Sequence, residues 1–155
     1  MNKKNLAKSA MLGAVLALIA GALPGVARAD TVVHVQLQNR DDGTMTMQFD
    51  HEKFEAGKVT FIVTNRSKNM DHEFLVVKTD LHVSELPLTE DGTRVNEDAL
   101  PEIHELEDLS PGEKGELVLY MKPGHYVAFC NLPGHVAAGM AAEFTVEPAA
   151  EATHS

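Results

Sequence analysis

From residue 31 onward the chain is a succession of short runs rich in Val, Ile, Thr and Phe, each closed by Gly, Pro, Asn or Asp. That rhythm constrains the fold more than any other feature. Residues 31–38 are β-rich, and their second half alternates apolar with polar side chains, as residues 45–49 also do; Asp41-Asp42-Gly43 between them is a turn sequence. Ala56-Gly57 leads into a strand at 58–65, residues 66–69 form a polar turn, and residues 73–79 read as the next strand. Runs at 115–121 and 125–130 flank Pro123-Gly124, and residues 142–147 close the domain. About seven short strands separated by turn signals predict an all-β Greek-key sandwich of about seven to eight strands.

Residues 80–113 break the rhythm. They hold eleven acidic residues against one basic one, Arg94, and are expected to be a solvated surface insertion with short helical turns near 97–101. Residues 1–29 are equally distinct. Lys3, Lys4 and Lys8 precede an apolar run over 10–23, and Ala27-Arg28-Ala29 gives a small-x-small cleavage pattern; together they read as a secretory signal cut after Ala29. The apolar run is shorter than the ~20 residues a spanning helix needs, so no membrane anchor is expected, and the lack of a twin arginine favours the general export route. This leaves one domain over 30–148 and a frayed tail over 149–155. All 23 Asp+Glu but only nine of the 13 Lys+Arg lie beyond residue 29, for a formal charge of −14, which disfavours nucleic acid as a partner.

The chain has a single cysteine, Cys130. By count alone it reads as a small buried hydrophobe. Its surroundings change that reading. Cys130, His135 and Met140 form a Cys-x4-His-x4-Met spacing on one loop between two strands, and Pro133-Gly134 and Gly139 allow the backbone to fold tightly enough to aim all three at one point. A thiolate, a neutral imidazole and a thioether make a soft donor set. Two His and one Cys near a plane with a long axial Met is the arrangement of blue-copper electron-transfer sites. The loop supplies one His, so a second must come from elsewhere. His72, at the edge of a strand just after the turn 66–71, is the best placed.

At these residues the sequence resembles the cupredoxins. The segment from Asn65 to His72 and the Gly-x-Tyr-x-x-x-Cys-x4-His-x4-Met run over 124–140 carry the resemblance; the loop spacing is like that of rusticyanin-type proteins, and the Asp-His-Glu-Phe segment is similar to that of bacterial periplasmic plastocyanin/azurin-like proteins. The resemblance implies one type 1 copper held by His72, Cys130, His135 and Met140. One departure stands out. Many cupredoxins carry Asn directly after the first His, where it ties the two ligand segments together. Here Glu73 stands there, and Asn131 is expected to supply part of the tie.

Two functions follow as expectations. The first is a periplasmic single-electron carrier, a monomer that meets a redox protein such as a cytochrome or an oxidase, with the acidic 80–113 segment steering a basic partner. The second is copper tolerance, storage or delivery through the same site, aided by soft donors at Met45, Met47 or Met70. His82 and His104 form a weaker candidate metal pair. An enzyme is not expected: copper oxidases and nitrite reductases commonly place a His beside the Cys to reach a second centre, whereas Phe129 and Asn131 flank Cys130.

Overall fold

A computed structural model describes residues 30–150. The expected signal sequence, its expected cleavage point and the end of the tail lie outside the described residues. Nine strands follow in order: β1 (Thr31–Asn39), β2 (Met45–Phe49), β3 (Lys53–Glu55), β4 (Gly57–Asn65), β5 (His72–Lys78), β6 (Ile103–Leu109), β7 (Lys114–Met121), β8 (Gly124–Phe129) and β9 (Ala141–Glu147). They form two sheets, ordered β2-β1-β4-β7 and β3-β9-β8-β5-β6. The β1–β4 and β3–β9 pairs are parallel and the others antiparallel. The result is the expected β-sandwich.

Alternation along the strands builds the core between the sheets. On one sheet Val33, Val35 and Leu37 of β1 and Val59, Phe61 and Val63 of β4 point inward at 0% exposure. The facing sheet contributes Phe74 and Val76 from β5, Tyr126 and Ala128 from β8, and Phe144 and Val146 from β9. Four rings meet at the centre: Phe61 lies 5.4 Å from Phe74 and 5.8 Å from Phe144, and Phe49 lies 5.3 Å from Phe144. These separations suit offset aromatic contacts, worth roughly 0.5–1.5 kcal/mol each beyond their burial.

The acidic segment corrects the sequence-based expectation in part. Most of its residues are exposed, as expected, but it is anchored to the sandwich at a few apolar points rather than free of it. Leu86 and Val95 from its first half are buried on the outer face of the second sheet against Leu75, Val77, Val127 and Phe129. This explains why β5 and β8 read as nearly continuous apolar runs: both of their faces are covered. The second half of the segment forms β6, paired with β5 across a bulge between His72 and Phe74. The turn at Glu97–Ala99, a 3-10 turn, matches the helical expectation, and a second 3-10 turn lies at Val83–Glu85. Among the described residues no helix is long and apolar enough to cross a membrane.

Candidate metal centre

Strand phase delivers the site. On β8, Tyr126 and Ala128 face the core, so Cys130, the next residue of the same phase, points inward at the strand's end. On β5, Phe74 and Val76 face the core, and His72 lies one step earlier in that phase. The two strands are antiparallel with Leu75 opposite Phe129, which brings the start of one beside the end of the other. His72, Cys130 and Met140 are 0% exposed and His135 is 8% exposed.

The three strongest donors converge. Cys130 Sγ lies 3.2 Å from His135 Nδ1 and 3.9 Å from His72 Nδ1, and the two Nδ1 atoms are 3.2 Å apart. A triangle with those sides has a centre about 2.0 Å from each corner, against metal–imidazole bonds of ~2.0–2.1 Å and metal–thiolate bonds of ~2.3 Å. The donor set and its spacing therefore fit one soft-to-borderline metal ion. Met140 occupies the end of the same loop, fully buried; its carbonyl accepts from the Cys130 N–H at 3.0 Å, and its N–H donates to the His135 carbonyl at 2.9 Å. Main-chain bonds thus close the loop on itself.

Gly139 is part of that closure. Its φ is +104°, and a Cβ there would lie 2.6 Å from the Met45 carbonyl oxygen. The neighbouring Ala138 carbonyl accepts from the Met45 N–H at 2.7 Å, so β2 backs the loop directly. Gly139→Ala is expected to cost more than about 1 kcal/mol of stability, measured by urea unfolding of the metal-free protein, because both the conformation and the space forbid a side chain. Met47 is buried in the core, and Met45, partly buried, packs against it.

Hydrogen bonds orient the ligands. His72 Nε2 lies 2.7 Å from Ser67 Oγ, and in the tautomer whose Nε2–H donates to Ser67, Nδ1 turns its lone pair toward the other donors. Ser67 Oγ also accepts from the Asn39 N–H at 3.1 Å, and the Ser67 N–H donates to Asn65 Oδ1 at 2.9 Å. Asn65 in turn donates to the carbonyls of Met70 and Leu109, both at 2.8 Å, which shapes the turn before His72. Partners of metal-bound imidazoles are typically worth 10–100-fold in affinity. Ser67→Ala is accordingly expected to weaken copper binding by about 10-fold or more, read by competition with a chelator of known affinity.

Glu73 solves the tie differently from the sequence expectation. Its N–H donates to Cys130 Sγ at 3.2 Å, from one ligand strand to the other. The Asn131 side chain instead reaches the acidic segment, accepting from the Val95 N–H at 2.7 Å and donating to the Val95 carbonyl at 3.1 Å. So Glu73 joins the two ligand strands, while Asn131 fastens the metal loop to residues 80–113. A further bond, from the Gly134 N–H to the Thr93 carbonyl at 2.8 Å, does the same.

Burial governs the titration of the donors. It pushes the Cys130 thiol up to about 11, against the N–H groups of Glu73 and Leu132 that favour the thiolate. Burial, aided by the charge of His135, holds His72 down at about 4; burial also lowers His135. Both imidazoles are therefore neutral, as ligands must be, at neutral pH. Burial raises Glu73 as well, partly offset by Arg94.

The other histidines divide. His104 lies on β6 opposite Val76 and joins no metal-competent group among the described residues. His82 does not pair with it but gathers with His125 and Glu143.

A family described as copper binding proteins of the plastocyanin/azurin family matches residues 34–147. No curated protein sequence matches the chain. Among solved structures, the dithionite-reduced auracyanin from the photosynthetic bacterium Roseiflexus castenholzii is similar at 23% identity with a TM-score of 0.50, covering 74% of this chain and 97% of that one. Auracyanin B is similar at 21% identity and a TM-score of 0.51, with 77% and 90% covered. Reduced rusticyanin is similar at 18% identity and a TM-score of 0.50, with 77% and 82% covered. These structural likenesses bear on the fold.

Proposed function

We propose that this chain, which belongs to the plastocyanin/azurin family of copper-binding proteins, is a periplasmic single-electron carrier whose copper would be held by His72, Cys130 and His135, with Met140 as a fourth donor. When bound, copper supplies one-electron exchange between Cu(I) and Cu(II). The observation that carries the reading is the buried triangle of Sγ and two Nδ1 atoms, locked by main-chain bonds at Cys130 and Met140 and by Ser67 behind His72. Donors fixed by the fold move little when charge changes, which is what fast exchange requires.

His135 is the one member of the four with any exposure, and it lies among Leu132, Pro133, Val136 and Ala137 on the loop. That edge is the natural point of electron entry and exit for a small, transient encounter. The acidic segment fastened beside the loop at Thr93 and Val95 would steer a basic partner, such as a cytochrome or an oxidase. Copper delivery would call for soft donors near the surface. Met47 is buried in the core, Met45 packs against it, and Met70 alone of the three lies half-buried beside His72.

The test begins with Cu(II) added to the purified protein, which should produce an intense sulfur-to-copper visible band. Electron exchange with a reduced c-type cytochrome should then be fast. Slow exchange, together with copper sensitivity of a deletion strain, would favour copper handling instead. Met140→Leu is expected to raise the reduction potential by tens of millivolts or more, since losing an electron-pair donor in an apolar site disfavours the more highly charged ion. Met70→Leu is expected to leave the potential near the parent value, because Met70 is only half-buried on the turn before His72.

A further inference from the structure

The far end of β8 carries a second convergence of donors. His125 opens β8 in the phase of Val127 and Phe129, on the outer face, and Glu143 of β9 lies opposite Val127 on that face. His82 comes from the acidic segment, just before the 3-10 turn Val83–Glu85. Glu143 Oε2 is 3.0 Å from His82 Nδ1 and 3.2 Å from His125 Nε2, and the two rings lie 5.8 Å apart. Five residues of strand, roughly 16 Å, separate His125 from Cys130, so the two clusters share nothing.

The protonation of His125 follows from its partners. Its Nδ1 lies 2.7 Å from the Thr79 carbonyl, which can only accept, so Nδ1 carries the hydrogen. A neutral His125 then aims the Nε2 lone pair at a carboxylate oxygen. That oxygen also faces His82, and Glu143 is held ionised, down at about 2, chiefly by the bonds from His82 and the Val83 N–H. The His82 Nδ1–H can supply a hydrogen to that oxygen, but a neutral His125 has none left for it, so the His125–Glu143 contact calls for a positive charge between them: a second proton on that imidazole, or a metal ion. An imidazole whose other nitrogen donates to a main-chain carbonyl is the usual posture of a metal ligand.

We propose that His82, His125 and Glu143 form a second metal site, for a borderline divalent cation of the zinc class. Two imidazoles and a carboxylate with an open fourth position match the donor set of an open zinc site. His82 is largely exposed, with 66% of its side chain accessible, which leaves room for a water ligand and for the small adjustment to tetrahedral spacing. The cation ties the start of the acidic segment to β8 and β9. The same segment grips the copper loop through Thr93 and Val95, so the second site secures the cover beside the first.

Zn(II) is the probe, titrated calorimetrically at pH 7.5 into the protein with copper already bound at Cys130. One further equivalent should bind, with the visible band unchanged and the thermal midpoint raised. His82→Ala should weaken that binding by about 10-fold or more, and Glu143→Gln should abolish it. His82 is on the surface, and an unchanged copper band in each variant reports an intact fold. The proposal fails if the copper-loaded parent takes up no Zn(II), if uptake occurs only as the visible band is lost, or if both variants bind like the parent. If the chain takes no copper at all, the same two variants still decide the matter, by the loss of one zinc equivalent from the parent's total.

Discussion

Cys130→Ser will abolish the intense visible absorption of the Cu(II)-loaded protein and weaken copper binding far beyond the ~10–100-fold that loss of a ligand's hydrogen-bond partner costs. The band requires a thiolate bound to copper. A serine hydroxyl has nearly the same shape but does not ionise in this range, so it offers neither a soft anion nor the transition. The replacement should fold. Cys130 is fully buried, yet the serine oxygen would meet the Glu73 N–H where the sulfur sits now, 3.2 Å away, and its own hydrogen could turn toward an imidazole Nδ1. A stability loss on the order of 1–2 kcal/mol is expected for burying a more polar group. Absorption spectra and chelator competition check the result. Parent-like affinity in the variant would remove Cys130 from the site and overturn the copper assignment with it.

The donors differ in how readable they were. Cys130, His135 and Met140 share one loop, so spacing alone could gather them. His72 lies 58 residues before Cys130, and finding it required strand phase at both ends as well as a family resemblance. The role of Glu73 was hidden. Its N–H meets Cys130 Sγ only because β5 and β8 adopt one register, and no local pattern encodes that register. The His82–His125–Glu143 group is harder still, since it joins three segments, one of them outside the sheets. The missed strands have a similar cause. β3 is only three residues long. β6, an edge strand, puts Ile103 on the outer face and Leu106 and Leu109 on the core face, the last two three apart because a bulge lies between their partners Phe74 and His72. A period of two was absent from the sequence because it is interrupted in the structure. The other seven strands pair with one another over regular registers, and their alternation was legible from the side chains alone.

The metal-free protein will be most stable between about pH 6.5 and about pH 9, with a loss on either side set by the metal-site residues themselves. On the acid side, His72 has a folded-state value of about 4, below its ordinary 6.5. Between those values the unfolded chain binds the proton and the native site does not. Stability therefore falls as the pH drops through the window, by on the order of 3 kcal/mol from His72 with His135 acting in the same direction, and Glu143, held down at about 2, carries the loss further below its ordinary 4.5. On the alkaline side the signs reverse. The buried Cys130 thiol holds its proton up to about 11, above its ordinary 9.0, so the native state binds more protons there and stability falls as the pH rises from about 9 toward 11. Urea unfolding across this range checks both limbs. The same values fix the proton count of copper uptake. At pH 7.5 both imidazoles are already neutral and the thiol is still protonated, so binding should release about one proton per copper, all of it from Cys130. Calorimetry in two buffers of different ionisation enthalpy measures that number. A value near zero would mean that the thiolate already exists in the free protein, stabilised by its Glu73 and Leu132 N–H partners against burial; a value near two would mean that an imidazole is still charged, contrary to the burial that keeps His72 neutral.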